Sequence, residues 1–288
     1  MGIDVHTLRF VQFAAKRTQG LGRVATIGRQ GLHIDEVRLR RMIAVHPGYQ
    51  HRKYADELLK ELFGATSVES FDNSSYEGAT HLVDLNNPLP PGLGGYDTVL
   101  DAGCIEHLFD AARALTSLSQ LCRAGGQILH ALPANNFCGH GFWQVSPELF
   151  FSLYSERNGY RETEVFLADL TDERFWFEVK RPHQGHRVMV SSATPLYVLC
   201  RTRVGPSVSH ESVQQSDYVH AWSGGAEPAG AERAGLFQGL KQRVKRSPLA
   251  DLAYALHDGL GRIARRRRED GLSEANPGLV RHRVSALI

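Results

Sequence analysis

Between residues 23 and 132 the chain alternates short apolar runs with amphipathic segments, and this constrains the fold more than any other feature. Arg23–Ile27, Ala65–Phe71, Thr80–Val83, Tyr96–Leu100 and Gln127–Leu132 read as strands. The segments between them carry apolar residues at helical spacing, as with Leu58, Leu59, Leu62 and Phe63 before Gly64. Strands alternating with helices over more than a hundred residues predict a parallel sheet covered on both faces, a doubly wound α/β domain. Later strands are expected near Glu164–Leu167, Arg174–Val179 and Leu196–Arg201. Helices are expected at Val5–Thr18 and from Ser146, with Ser146 as N-cap and Pro147 in the first turn.

Charge divides the chain differently. Residues 233–288 hold 12 basic and 5 acidic side chains, whereas the other 232 residues hold 21 and 26. The expected organisation is therefore an α/β domain over 1–204, a polar linker or surface arm over 205–232, and a basic helical tail over 233–288. In the tail Leu249, Leu252, Leu256, Leu260 and Ile263 form an apolar stripe ahead of Arg265–Arg268. Such a stripe docks on its own domain or on a second copy, which makes a homo-oligomer through these helices one expectation. The cluster could also serve an interfacial membrane helix or nucleic acid, but no aromatic-interleaved motif accompanies the charge, which argues against nucleic acid. No apolar run reaches the length of a membrane span, and the first thirty residues, charged throughout, carry no secretory pattern. Four scattered cysteines without a Cys-x-x-Cys pair fit a reducing compartment, so a cytoplasmic protein is expected.

Ligands of open α/β sheets sit at the carboxyl ends of the strands, beside the point where strand order reverses. The strand ends here read Gly28-Arg29-Gln30, Asp72, Asp84-Leu85 and Asp101-Ala102-Gly103. Three acids at successive strand ends can bind a ligand together, or each can cap its own turn. Several chemistries find no motif. Gly-x-x-x-x-Gly-Lys-Ser/Thr, Gly-x-Ser-x-Gly and His-Glu-x-x-His are absent, and the turn after the first strand is not Gly-x-Gly-x-x-Gly. The 14 histidines show no metal-ligand spacing, and no metal is expected.

Tyr96-Asp-Thr-Val-Leu-Asp-Ala-Gly-Cys-Ile-Glu-His107 resembles the fourth strand of the class I S-adenosylmethionine-dependent methyltransferases and the Glu-His pair that often follows it. Leu121-Cys-Arg-Ala-Gly-Gly126 is similar to that family's turn into its fifth strand. The resemblance runs from about Val24 to Arg201. It implies a mostly parallel, Rossmann-like sheet of seven strands with one antiparallel strand near the end, and S-adenosyl-L-methionine as cofactor. It also implies roles: Asp72 on the ribose, Asp84 on the adenine with Leu85 beneath the ring, and Asp101, Ala102 and Gly103 as the floor near the methionine moiety. The first loop departs from the family's glycine-rich pattern. Gly28 is kept, but Arg29 and Gln30 stand where backbone normally approaches the cofactor. Either side chain could bond the cofactor's carboxylate, or both could fill a lost pocket.

After the fifth strand comes Pro133-Ala-Asn-Asn-Phe-Cys-Gly-His-Gly-Phe-Trp-Gln144. This segment offers Asn136, Phe142 and Trp143 to an acceptor and His140, between two glycines, as general base or as a loop-holding histidine. Glu106 and His107 are further catalytic candidates, although a structural role at a helix start suits His107 better. The expected activity is methyl transfer to a small-molecule or carbohydrate-type acceptor, at oxygen. The alternative is a non-catalytic scaffold of the same fold that recruits a partner through its basic tail.

Overall fold

A computed structural model describes residues 2–210, 213–224 and 270–288. The chain runs β1 (Gly2–Ile3), α1 (Val5–Thr18), β2 (Gly22–Ile27), β3 (Gly31–Leu32), α2 (Glu36–Met42), α3 (Asp56–Phe63), β4 (Ala65–Asp72), β5 (His81–Leu82) and β6 (Tyr96–Ala102). It continues with a 3₁₀ turn (Ile105–His107), α4 (Ala111–Leu121), β7 (Cys122–Asn135), α5 (Pro147–Leu153), a second 3₁₀ turn (Glu156–Asn158), β8 (Tyr160–Asp169), β9 (Phe175–Val179) and β10 (Leu196–Val204). The last described elements are α6 (Ser216–Trp222), β11 (Leu279–Arg283) and α7 (Val284–Leu287).

Nine strands form one sheet in the order β11-β9-β8-β10-β7-β6-β2-β4-β5. β2 pairs in parallel with both β4 and β6, so strand order reverses at β2 and the switch point lies between β2 and β6. β10 inserts antiparallel between β7 and β8. The seven strands from β5 to β8 are thus the expected sheet with its one reversed strand. β9 and β11 add two more antiparallel strands beyond it, so the expected count of seven is corrected to nine.

Period-2 alternation sends neighbouring side chains to opposite faces. Val24, Leu100 and Leu129 pack under α1 and α3 with Phe10, Phe13, Leu58 and Leu59. Ala25, Val99 and Ile128 pack under α4 and α5 with Leu115, Leu118 and Phe150. Two full apolar layers follow, which is why the parallel strands read as nearly continuous hydrophobic runs. Caps fix the helix starts: Asp4 accepts from Thr7 N–H at 2.9 Å, and Ser146 from Glu148 N–H at 3.3 Å with Pro147 behind it.

The end of the chain departs from expectation. Residues 279–283 are not helical tail but strand β11, paired along its length with β9. Leu279 and Val284 are buried, and the Arg281 guanidinium lies 3.6 Å from the centroid of the Phe175 ring. The arginines that weighted the charge count here stack on the sheet edge, and the body of the domain includes the C-terminus. Within the expected linker, α6 docks through Arg187–Asp217 and through Ser216 N–H onto Glu148 at 2.7 Å. The apolar stripe 249–263 and Arg265–Arg268 lie outside the described residues. Among those described, no helix is long and apolar enough to cross a membrane.

Candidate active site

At the switch point the first loop closes on itself. Gly28 takes φ 70°, which a side chain would strain, and its N–H reaches Phe71 O at 2.7 Å. Arg29 spends its guanidinium within the protein. Its Nε and Nη2 donate to Asp56 Oδ2 at 3.1 and 3.0 Å, Nη1 donates to Glu77 O at 2.9 Å, and the guanidinium lies 4.1 Å from the Tyr54 ring centroid. Gln30 is buried with Nε2 on Ile27 O at 2.6 Å. Neither side chain extends toward a cofactor carboxylate here: a paired cation and a buried amide rigidify the loop from within.

The strand-end acids divide. Asp72 accepts from Ser74 N–H at 3.0 Å through Oδ1. Asp84 uses both oxygens on its own turn, Oδ1 for Asn86 N–H and Nδ2 and Oδ2 for Asn87 Nδ2, and these bonds hold its carboxyl below the usual range. Leu85 points into the core. The turn-capping alternative thus describes Asp84, and Leu85 is core rather than an exposed platform. Asp101 is fully buried, 2.8 Å from His130 Nδ1, and accepts from Cys104 N–H at 3.1 Å and Ile105 N–H at 3.3 Å. His130 reaches the Tyr154 hydroxyl at 2.8 Å on its other side. Asp101 holds the β6 end against β7 and is not itself a ligand-facing floor.

Ala102 and Gly103, next along the chain, do face a cavity of about 300 Å³. Ala131 and Pro133 of β7 continue its floor, Asp4 and Thr7 of α1 and His33 close one side, and Glu106, His140 and Tyr197 close the other. Glu106 is fully buried, and neither carboxylate oxygen has a hydrogen-bond partner. Burial first, and the nearby charge of Asp101 second, push its carboxyl up to about 8. His140 Nε2 stands 3.5 Å and His107 Nε2 3.9 Å from Glu106 Oε1. Desolvation, reinforced by His140, lowers His107.

The local sequence explains this convergence. Cys104–His107 turns as a 3₁₀ segment, not as a helix start, with His107 N–H on Cys104 O at 3.0 Å. Phe142 and Trp143 N–H both donate to the Glu106 carbonyl, at 2.6 and 3.3 Å. A Cβ on Gly141 would lie 2.6 Å from that same oxygen, so the glycine beside His140 is required for the contact. Asn136, expected to meet an acceptor, instead staples the loop through Nδ2 to Ser192 O and Thr194 O. Phe142 and Trp143, directly after the His140 loop, are 67% and 43% exposed, and Phe142 meets Phe109 edge-on at 6.5 Å.

Asp4, His33 and Tyr197 went unread in the sequence. They come from three distant elements, and no spacing connects them. Asp4 alone had a signal, as the N-cap of α1.

A larger cavity of about 490 Å³ opens at the opposite, amino ends of the strands. Of its three lining arginines, Arg17 and Arg123 are paired with Glu164 and Asp97, and Arg203 donates to the Gly125 carbonyl. The smaller cavity holds the unpartnered carboxylate and sits where α/β sheets bind ligands. The strand order, with β10 reversed beside β7, settles the architecture. The chain has a doubly wound, Rossmann-like α/β fold.

No family model and no curated protein sequence matches the chain. Among solved structures, the N-methyltransferase NodS of Bradyrhizobium japonicum WM9 is similar over 70% of this chain and 97% of that one, at 12% identity and a TM-score of 0.40. The StiE O-methyltransferase segment is similar over 76% and 79%, at 14% identity and a TM-score of 0.40. An O-methyltransferase of a Brevibacillus brevis polyketide synthase, in complex with S-adenosyl-L-homocysteine, is similar over 69% and 72%, at 11% identity and a TM-score of 0.39.

Proposed function

We propose that the chain is an S-adenosyl-L-methionine-dependent methyltransferase acting at oxygen on a small-molecule or carbohydrate-type acceptor. One observation carries the reading: a buried carboxyl without a hydrogen-bond partner beside a half-exposed imidazole, at the switch-point cavity of a doubly wound sheet. The residues suit the positively charged end of that cofactor. Asp4 and Glu106 are the acids of the cavity wall, and Gly103, at φ 80°, presents bare backbone to it. Asp72 is the ribose partner in this reading. Bound there, the cofactor supplies an activated methyl group on its sulfonium.

The chain's own part is orientation and proton removal. Transfer is fast when acceptor oxygen and methyl carbon are held in line, and a hydroxyl acceptor must also lose its proton. His140 takes that proton at Nε2, with Glu106 and His107 setting its orientation. Phe109, Phe142 and Trp143 stack on the acceptor's ring face.

His140→Ala is expected to lower turnover by about 10²- to 10⁴-fold, the usual cost of losing a general base, with S-adenosyl-L-homocysteine affinity unchanged. The acceptor is found by screening for acceptor-dependent release of S-adenosyl-L-homocysteine, and calorimetry reads the affinity. Near-normal turnover in the variant removes His140 from the chemistry. A non-catalytic scaffold is the competing reading, favoured by the internal closure of Arg29 on Asp56. Absence of any cofactor heat in the calorimeter would establish it.

A further inference from the structure

We propose that Glu106, His107 and His140 bind one divalent first-row transition-metal ion. The proposal does not depend on what occupies the cofactor cavity. One carboxylate and two imidazoles are the donor set such ions take, and three protein ligands leave positions open for water or a bound oxygen. Their ligand atoms lie within 4.8 Å of one another, and they are the only such group of three among the described residues.

Other histidine–carboxylate contacts in this chain show why the spacing matters. His46–Glu61, His81–Glu69 and His282–Glu178 close to 2.7, 2.8 and 2.7 Å, direct hydrogen bonds that leave no room for an ion. Glu106 stands instead 3.5 Å from one imidazole nitrogen and 3.9 Å from the other. Two ligands each about 2.1 Å from a common ion are at most about 4.2 Å apart, so both spacings suit a bridging cation.

The backbone holds the three residues together, while the rings keep freedom to adjust. Phe142 and Trp143 N–H clamp the histidine loop onto the Glu106 carbonyl. The two rings are half exposed, 5.0 Å apart between centroids and crossed at 68°, so small side-chain rotations complete the set. Glu106, by contrast, is fully buried with both oxygens unpartnered, a state that costs stability unless something pairs with it. A cation is what the carboxylate lacks. The open coordination positions then face the cavity lined by Gly103 and Tyr197. With an ion bound, His140 Nε2 would be a ligand rather than the free base described above, and the ion would acidify a hydroxyl placed there in its stead.

Full-length protein stripped with a chelator is titrated with Co²⁺ and followed by its visible ligand-field absorption, with stoichiometry checked by atomic absorption. One Co²⁺ per chain is expected, with affinity lowered at least tenfold in Glu106→Gln. The same loss is expected in the His107→Ala/His140→Ala double variant, whose half-exposed positions put the fold at less risk, as circular dichroism checks. His183→Ala/His186→Ala, which removes another pair of imidazoles lying 6.0 Å apart, should change nothing. Failure to bind one equivalent, unchanged affinity in the double variant, or loss on removing His183 and His186 each overturns the site. Calorimetry with S-adenosyl-L-homocysteine on metal-free protein tests the methyltransferase reading separately, so the two can fail independently.

Discussion

Asp101, near the end of β6, and Glu106, in the turn that follows it, lie five residues apart and are both fully buried, yet they do opposite things. Asp101 receives two backbone N–H groups and His130, which is itself backed by the Tyr154 hydroxyl. Glu106 receives nothing on either oxygen. A buried charge is tolerated when it is paired and hydrogen-bonded, so the first acid belongs to the architecture. The second is a standing cost inside a well-packed fold, and that cost is the mark of a site.

The comparison breaks most sharply at Asp101. Asp101→Ala leaves His130 and two amides buried without their acceptor, and removal of one partner of a buried pair costs about 3–5 kcal/mol. Chemical denaturation measures this loss. A change below about 1 kcal/mol would make the Asp101–His130–Tyr154 line dispensable and erase the contrast.

Glu106→Gln should act in the opposite direction, and only at high pH. The carboxyl is raised to about 8 from an ordinary value of 4.5, so the folded state binds its proton more tightly than the unfolded state does. Stability from the protonated group is complete below about 4.5 and is lost as pH rises through about 8. The glutamine variant lacks this loss. With chelator present, it should gain about 4 kcal/mol over the parent between pH 5 and pH 9. A gain that is the same at both pH values would mean that Glu106 ionises freely.

At the cofactor end, Asp72→Ala is expected to weaken S-adenosyl-L-homocysteine by about 1–3 kcal/mol in a calorimeter, the usual cost of leaving polar groups unpaired. Unchanged affinity in a folded variant takes Asp72 out of the site.

How much of this was legible follows from what each signal measures. Hydrophobic alternation reports burial on two faces, so β2, β4, β6, β7 and their helices could be read from Val24-Ala25 or Val99-Leu100 alone. Edge strands carry half that signal. Leu279–Arg283 has two arginines and a histidine in five, and only Leu279 at its start is buried, so no alternation marks it as a strand. Residue type named Glu106, His107 and His140 as candidates, because glycines beside a histidine and an acid beside a histidine are chemically distinctive. What type could not report is the state of the partners. Asp84, Asp101 and Asn136 look like ligand groups in a string of letters and are satisfied by the protein itself. Asp4, His33 and Tyr197 reach the cavity only through long-range packing, which no local spacing records.

Arg29 is the finest test of that distinction between satisfied and unsatisfied groups, with the smallest expected effect. In sequence it is a cation where a cofactor carboxylate would lie, yet in the fold it bridges three elements: Asp56 at the start of α3, the carbonyl of Glu77 after β4, and the face of Tyr54. The Arg29–Asp56 pair is partly exposed, which limits its worth to about 1 kcal/mol. Arg29→Ala should therefore lose about that much stability, plus a few tenths from the lost stacking on Tyr54. A double-mutant cycle with Asp56→Ala should recover most of the coupling, since the two residues are in direct contact. Arg29→Lys should retain only part of it, because an ammonium cannot offer Nε and Nη2 together to one carboxylate oxygen. Cofactor affinity in Arg29→Ala should shift by less than about threefold, well below the effect at Asp72. A larger drop, with Lys restoring it only in part, would mean that the guanidinium leaves Asp56 for the ligand, and the first loop would then open on binding.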